Sequence, residues 1–133
     1  METISVNGVT VEISRKTIRA RMYTTALHSL AFSVLDEIVE ETGLSRAIIN
    51  ANCADFSALA PRVKVVKGKL DFKFPLHTDT AEQFKIQLYK WLDSEHLTLI
   101  DKIIEIVNAL DRVQDVDLLP GLELADTPKN KKK

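Results

Sequence analysis

The sequence predicts an α+β domain that is mainly helical, and three observations support this fold class. Apolar and polar residues alternate on both sides of Asn7-Gly8, which is a strong signal for a β-hairpin. Three later segments repeat apolar residues at the spacing of one helix face. With 133 residues, of which 45% are hydrophobic, the chain can form one hydrophobic core. We therefore expect a single domain over residues 1–113.

The first two elements are an N-terminal β-hairpin and a long central helix. Hairpin strands are expected at about 3–7 and 9–13, because Asn and Gly both tolerate the positive φ angles of a tight turn. The helix is expected to begin after Thr17, which can cap it, and to end at Gly43, which suits a left-handed closing position. Its apolar residues cover an arc of roughly 200°. So wide an arc suits a helix that packs on two sides or at a subunit contact.

The charges of the long helix oppose its dipole. Arginines and Lys16 lie at its N-terminal end, whereas Asp36 and three glutamates lie at its C-terminal end. Each such charge can cost a few tenths of a kcal/mol. Solvent screening or neighbouring ion pairs would offset this cost, and this is the simpler interpretation. Alternatively, the two ends are docking patches of opposite sign.

A short helix is predicted next, over about 45–52, and the following residues could extend it to Ala58. The stretch 40–52 also resembles a helix-turn-helix, in which Arg46 and Asn50 would contact DNA. Two glutamates before the turn would repel phosphate, however, and the preceding helix is too long for that motif. A helix C-cap followed by a helix N-cap would give the same sequence pattern without any DNA-binding role. A DNA-binding regulator therefore remains only an alternative function.

A second β-hairpin is predicted after the short helix. Val63–Val66 form its first strand, Lys67-Gly68-Lys69 its turn, and Leu70–Phe74 its second strand. Leu70, Phe72 and Phe74 would share one face of that strand. The two hairpins then either join in one small sheet or pack separately on helices.

Two C-terminal helices and a tail complete the prediction. The first helix is expected to start near Asp79, with Glu82 in its first turn, and the second to span about 97–113. Both repeat apolar residues at helical spacing. Residues 114–133 combine prolines, scattered acids and four terminal lysines, so a flexible charged tail is expected there.

Composition limits the possible functions. The net charge of −1 gives no global attraction to nucleic acid or to acidic membranes. The single cysteine, Cys53, cannot form a disulfide within the chain, which favours a reducing, cytoplasmic location. The longest uncharged stretch, Tyr23–Leu35, has 13 residues and contains polar side chains. Since a membrane span needs about 20 mostly apolar residues, we expect no membrane insertion.

The residues that could perform chemistry form no recognisable site. His28, His77 and His96 lack the spacing of metal ligands, and Cys53 would need a histidine beside it to act as a nucleophile. The glycines are scattered singly, so no phosphate-binding loop is present. We therefore expect no catalytic residue, no cofactor and no metal.

Binding to another protein is the remaining function, and three features suggest where it would occur. They are the basic start of the long helix, the basic second hairpin, and an aromatic residue opposite the apolar stripe of its helix. The corresponding candidate partner-binding residues are Arg19, Arg21, Arg62, Lys64, Lys67, Lys69 and Tyr89. Lysines on a strand edge can also serve simply to prevent edge-to-edge aggregation.

The order of elements resembles one family. The N-terminal hairpin and long helix are followed by Ala60–Phe72, then by Leu88–Asp93, and then by Val107–Asp111. This pattern is similar to that of the tail assembly chaperones of long-tailed bacteriophages, and the similarity covers residues 3–113.

The resemblance implies a non-enzymatic role in the host cytoplasm. Such chaperones bind the tape measure protein and recruit tail tube subunits around it. A chaperone of a long helical client needs apolar grooves with charged rims. The wide apolar arcs of two helices could supply such a groove, an ordinary core, or the seam of a homo-oligomer. A structural or adaptor protein of a virion or prophage is the alternative within the same fold.

Overall fold

The structure, a computed structural model, describes residues 1–117. It confirms a mainly helical α+β fold with four helices and one three-stranded sheet in this part of the chain. The elements are β1 (Glu2–Val6), β2 (Val9–Ile13), α1 (Ile18–Thr42), α2 (Arg46–Leu59), β3 (Val63–Lys67), α3 (Ala81–Leu92) and α4 (Leu97–Asp117).

The N-terminal hairpin and the long helix agree with the sequence-based prediction. Asn7 and Gly8 adopt φ angles of 53° and 84°, and Val6 pairs with Val9 across the turn. The side chain of Thr17 caps the first turn of α1, and Gly43 closes the helix with a φ of 71°. Asn-Gly and glycine are residue types that tolerate these left-handed conformations.

The predicted second hairpin is wrong in its second strand. β3 pairs with β2, so the sheet order is β1-β2-β3, but residues 68–75 form no strand. Hydrogen bonds tie this segment to α3 and to the α3–α4 connection instead. The Lys73 N–H donates to Gln87 Oε1 over 2.8 Å, and the Asp71 carboxylate accepts from the Ser94 hydroxyl over 2.7 Å and the Glu95 N–H over 2.9 Å. These contacts take the place of pairing with β3.

Two helix boundaries differ from the prediction, which had left a third open. The short helix predicted over 45–52, with a possible extension to Ala58, is α2, and it continues to Leu59. α3 is capped by Thr80 and Gln83 in a reciprocal capping box, whereas Asp79 accepts from the Leu76 N–H in the preceding turn. α4 continues to Asp117 rather than ending at 113. Of the predicted tail, residues 118–133 lie outside the described part of the chain.

An aromatic cluster joins α2, α3 and the segment 68–75. Phe56 on α2 lies at its centre, with ring centroids of Phe72, Phe84 and Trp91 at 5.9, 5.8 and 4.9 Å. Tilted and edge-on rings at these separations add to the free energy of burying their apolar area. The remaining core lies between β2, whose Val9, Val11 and Ile13 are buried, and the inner faces of α1 and α4. Within residues 1–117, the outer face of α1 does not take part in this core and keeps large apolar side chains exposed.

Gly68 is expected to tolerate alanine poorly. It has a φ of 82°, and a Cβ there would lie 2.3 Å from the Gly8 carbonyl oxygen. The left-handed backbone and this contact together should lower the free energy of unfolding of Gly68→Ala by about 2 kcal/mol. Gly8→Ala is the matched control, because Gly8 has a φ of 84° but open space around it. Equal losses for both variants in urea denaturation would contradict a close approach at Gly68.

Candidate protein-binding face

The outer face of α1 exposes three large apolar side chains. Phe32 is 80% exposed, Ile18 73% and Met22 63%. Together with Thr25 and Ser29 they recur at spacings of three and four, so they fall within an arc of roughly 80°. This arc is diametrically opposite the buried face that carries Leu27, Ala31 and Ile38. We call these five residues the α1 stripe.

The hydroxyl groups in and beside the α1 stripe are already bonded within the helix. The Thr25 hydroxyl donates to the Arg21 carbonyl over 3.0 Å, and the Ser33 hydroxyl donates to the Leu30 carbonyl over 2.7 Å. Ser29 makes a longer bond of 3.4 Å to the Thr25 carbonyl. Because an unsatisfied buried donor is costly, these internal bonds make the face easier to bury against another chain.

A groove of about 530 Å³ runs along one flank of the stripe, between α1 and α2. Its floor is apolar, with Ala31, Leu35 and Cys53 buried. The residues lining it are Thr25, His28, Ser29, Ala31, Phe32, Leu35, Asn50, Cys53 and Ala54. Small side chains on the α2 side leave room for a large apolar group. The groove thus fits a side chain or a helix from another protein better than a charged small molecule.

Cys53 and His28 line the same groove, but they do not form a reactive pair. Burial raises the pKa of the Cys53 thiol to about 11. The thiol therefore stays protonated near neutral pH, and a protonated thiol is a poor nucleophile. No hydrogen bond joins Cys53 to His28 in the part of the chain that the structure describes. Cys53 acts here as a small core residue.

The two ends of α1 carry opposite charges at the protein surface. Arg19 and Arg21 are exposed near the N-terminal end. Near the other end, Asp36 forms an ion pair with Arg46 and still keeps 86% of its side-chain surface exposed. Glu40 is exposed as well. The stripe is therefore bordered by a basic end and an acidic end.

Ion pairs with α3 offset part of the unfavourable charge at the C-terminal end of α1. The buried Lys85 ammonium lies 2.7 Å from Glu37 and 3.6 Å from Glu41. The hydrogen bond to Glu37, more than any other contact, raises the pKa of Lys85. The Tyr89 hydroxyl donates to Glu41, and this bond lowers the pKa of the Glu41 carboxyl. These contacts hold α1 against α3.

The structure separates the sequence-predicted binding residues into two groups. Arg19, Arg21, Lys64, Lys67 and Lys69 are exposed, but the arginines and the lysines belong to different elements. Arg62 and Tyr89 have internal partners instead. Arg62 is buried and paired with Asp111, and Tyr89 is half-buried, with burial and Glu41 raising its pKa to about 12. These two residues stabilise contacts between elements.

Sequence reasoning missed Ile18, Met22 and Phe32, three strongly exposed apolar residues of α1. Their spacing was visible, but the hydroxyl residues between them made this side of α1 look like an ordinary polar face. A helical-wheel comparison of Phe32 with Leu27 would have placed the phenylalanine outside the buried arc.

In the helix-turn-helix alternative, α2 would be the recognition helix. Its cation Arg46 is paired with Asp36, and this pairing does not favour contacts to DNA.

Comparisons of the chain with protein-family models, curated proteins and solved structures found no match. Within residues 1–117, no helix combines the length and apolarity needed to cross a bilayer. Over the same residues, no three histidine, cysteine or acidic side chains group as they would around a metal ion. The α1 stripe and its groove are thus the best-defined candidate site.

Proposed function

We propose that this protein is a non-enzymatic protein-binding module that acts as a tail assembly chaperone for a long-tailed phage. The single observation that carries the proposal is the exposed α1 stripe beside an apolar groove, with Phe32 80% exposed at its rim. Exposed apolar surface of this kind marks interaction sites in soluble proteins. The sequence resemblance supplies the identity of the client.

The proposed client is a helical segment of the tape measure protein. An amphipathic helix buries its apolar face in a groove through side chains spaced by three, four and seven residues. The groove between α1 and α2 has an apolar floor that can contact such side chains. The hydroxyl groups of the α1 stripe beside it already donate to carbonyls of their own helix, so they need no acceptor from the client. The charged ends of α1 would orient the client helix by its own charges.

Binding of the tape measure protein encoded by the same phage tests this function. We expect the purified chain to co-purify with it and to keep it soluble during co-expression. Phe32→Ala should weaken this binding roughly tenfold or more, because truncating a central aromatic contact often costs over 1 kcal/mol. Leu76→Ala is the matched control, since Leu76 is 62% exposed on a different surface and should not matter.

Two results would count against the proposed function. One is a wild-type chain that binds no tape measure protein under conditions in which both proteins are folded. The other is equal binding by the Phe32→Ala and Leu76→Ala variants, which would place the contact elsewhere than the α1 stripe.

A further inference from the structure

We propose that the outer face of α1 also binds the same face of a second copy of this chain, with the two helices antiparallel. The inference rests on the proposed function in one respect, because both assign a binding role to the α1 stripe. It adds a specific partner and a specific register. The twofold axis would pass between His28 and Ser29.

Six residues on the groove side of α1 are placed symmetrically about the point between His28 and Ser29. Each residue before that point has a counterpart at the same distance after it. These residues are Arg21, Thr25, His28, Ser29, Phe32 and Asp36. When two such helices lie antiparallel about the proposed axis, Arg21 faces Asp36 of the second copy and Phe32 faces Thr25 of the second copy. A twofold interface requires this kind of reciprocal match.

Charge complementarity selects the antiparallel orientation. In a parallel pair, the basic ends of both α1 helices would lie together, and so would the acidic ends. In the antiparallel pair, each Arg21 meets an Asp36 whose side chain is 86% exposed despite its contact with Arg46. The opposed helix dipoles also favour this orientation. The charges that oppose the dipole within one helix are therefore favourable between two copies.

Phe32 supplies the apolar part of the contact. In the proposed register, the ring of Phe32 reaches the second copy beside Thr25, which lines the groove of about 530 Å³ between α1 and α2. The groove is large enough to accept a phenyl ring over its apolar floor. The exchange is reciprocal, so two exposed rings are buried at once. The Thr25 and Ser29 hydroxyls already bond to their own helix, which limits the cost of losing water there.

The dimer and the client would compete for one face. Pairing of two copies would shield Thr25, Ser29 and Phe32 of the α1 stripe until a helical client displaces the second copy. The shielding would reduce non-specific association of a face that carries an 80% exposed phenylalanine.

Sedimentation of the full chain tests the pairing. The wild-type chain, of 15.0 kDa, should sediment at twice its mass within a concentration series. Phe32→Glu should sediment as a monomer at the same concentrations while keeping its circular dichroism, because Phe32 is exposed in the single chain. A wild-type chain that remains at 15.0 kDa up to about 0.1 mM would overturn the proposal.

Charge reversal tests the register. Arg21→Glu and Asp36→Arg should each raise the dimer dissociation constant roughly tenfold or more, since each change places two like-charge contacts in a symmetric dimer. An equimolar mixture of the two variants should regain a dimer, because both of its contacts then join opposite charges. Native mass spectrometry would identify it as the mixed species. A mixture as weak as either variant alone would refute the register.

Arg19→Glu is the matched control for the charge reversals. Arg19 is exposed on the same helix but lies outside the groove side of α1, so its reversal should leave the dimer unchanged. Dimer formation and client binding can fail separately. A monomeric wild-type chain that binds the tape measure protein contradicts only this inference. A dimer with the proposed register that binds no tape measure protein contradicts only the proposed function.

Discussion

Replacing Phe56 with alanine is expected to lower the free energy of unfolding by about 4 kcal/mol. Phe56 is 0% exposed and its ring contacts aromatic residues from two other parts of the chain. Truncation removes the free energy of burying the ring and leaves a cavity that rigid neighbours cannot fill. The loss should appear in urea denaturation as a lower midpoint with an unchanged slope.

The control for this prediction is a phenylalanine-to-alanine substitution at a strongly exposed position. Phe32→Ala removes an identical ring from a position that is 80% exposed, and it should change the free energy of unfolding by no more than about 0.5 kcal/mol in the monomer. Measurement of both variants at a concentration below dimer formation isolates the core effect. Similar losses at the two positions would show that Phe32 is buried in the single chain, and the binding face would then be lost as well.

Local signals were sufficient for the elements whose geometry depends on a few neighbouring residues. Asn7-Gly8 predicted the hairpin turn, since few other residue pairs tolerate both φ angles. Thr17 predicted the start of α1 because its hydroxyl can accept from a free N–H of the first turn, and Gly43 predicted the end because glycine tolerates the left-handed closing position. In each case a residue type that favours the local conformation occurs at the position that adopts that conformation.

The segment Leu70–Phe74 shows why the second hairpin was wrong. Its alternation correctly placed Phe72 and Phe74 on one face, and both rings contact Phe56. Alternation, however, indicates only which side chains face the core. It does not indicate which groups form hydrogen bonds with the backbone of the segment. Here the Lys73 N–H bonds to the Gln87 side chain, and the Asp71 carboxylate bonds to the α3–α4 connection. Such long-range partners leave no local signal in the sequence.

The candidate site was partly predictable for a related reason. Charge alone identified Arg21 and the acidic end of α1, both of which border the proposed face. It could not identify Phe32, because this side chain carries no charge and lies among hydroxyl residues on the outer side of α1. It also could not separate Arg62 from the exposed lysines of β3, since burial of a cation depends on a carboxylate supplied by a distant helix.

Arg62 is the second position at which a large effect is expected. Arg62→Met should lower the free energy of unfolding by about 3 kcal/mol, because the change removes one partner of a largely buried ion pair. Arg62 is 5% exposed, with Nη2 lying 2.8 Å from Asp111 Oδ1 and Nε donating to the Ser14 carbonyl over 3.0 Å. These bonds join the end of β2 to α4. Methionine preserves much of the aliphatic packing, so the loss reports mainly on the polar contacts.

A double variant shows whether the loss arises from the ion pair. Arg62→Met combined with Asp111→Leu removes both charges, and it should be more stable than Arg62→Met alone because no carboxylate is left without its cation. Lys64→Met is the control on the adjacent strand. Lys64 is exposed, so its replacement should change the free energy of unfolding by no more than about 0.5 kcal/mol.

The result at Arg62 also decides how the basic stretch from Arg62 to Lys69 contributes to function. If Arg62→Met is destabilising and Lys64→Met is not, the stretch consists of one structural cation and a set of exposed lysines that protect an edge strand. A stable Arg62→Met variant that loses tape measure binding would instead make Arg62 a binding residue and would require the guanidinium to leave Asp111. The two bonds to separate elements favour the first outcome, because releasing Arg62 would leave a half-buried carboxylate and the Ser14 carbonyl without their donor.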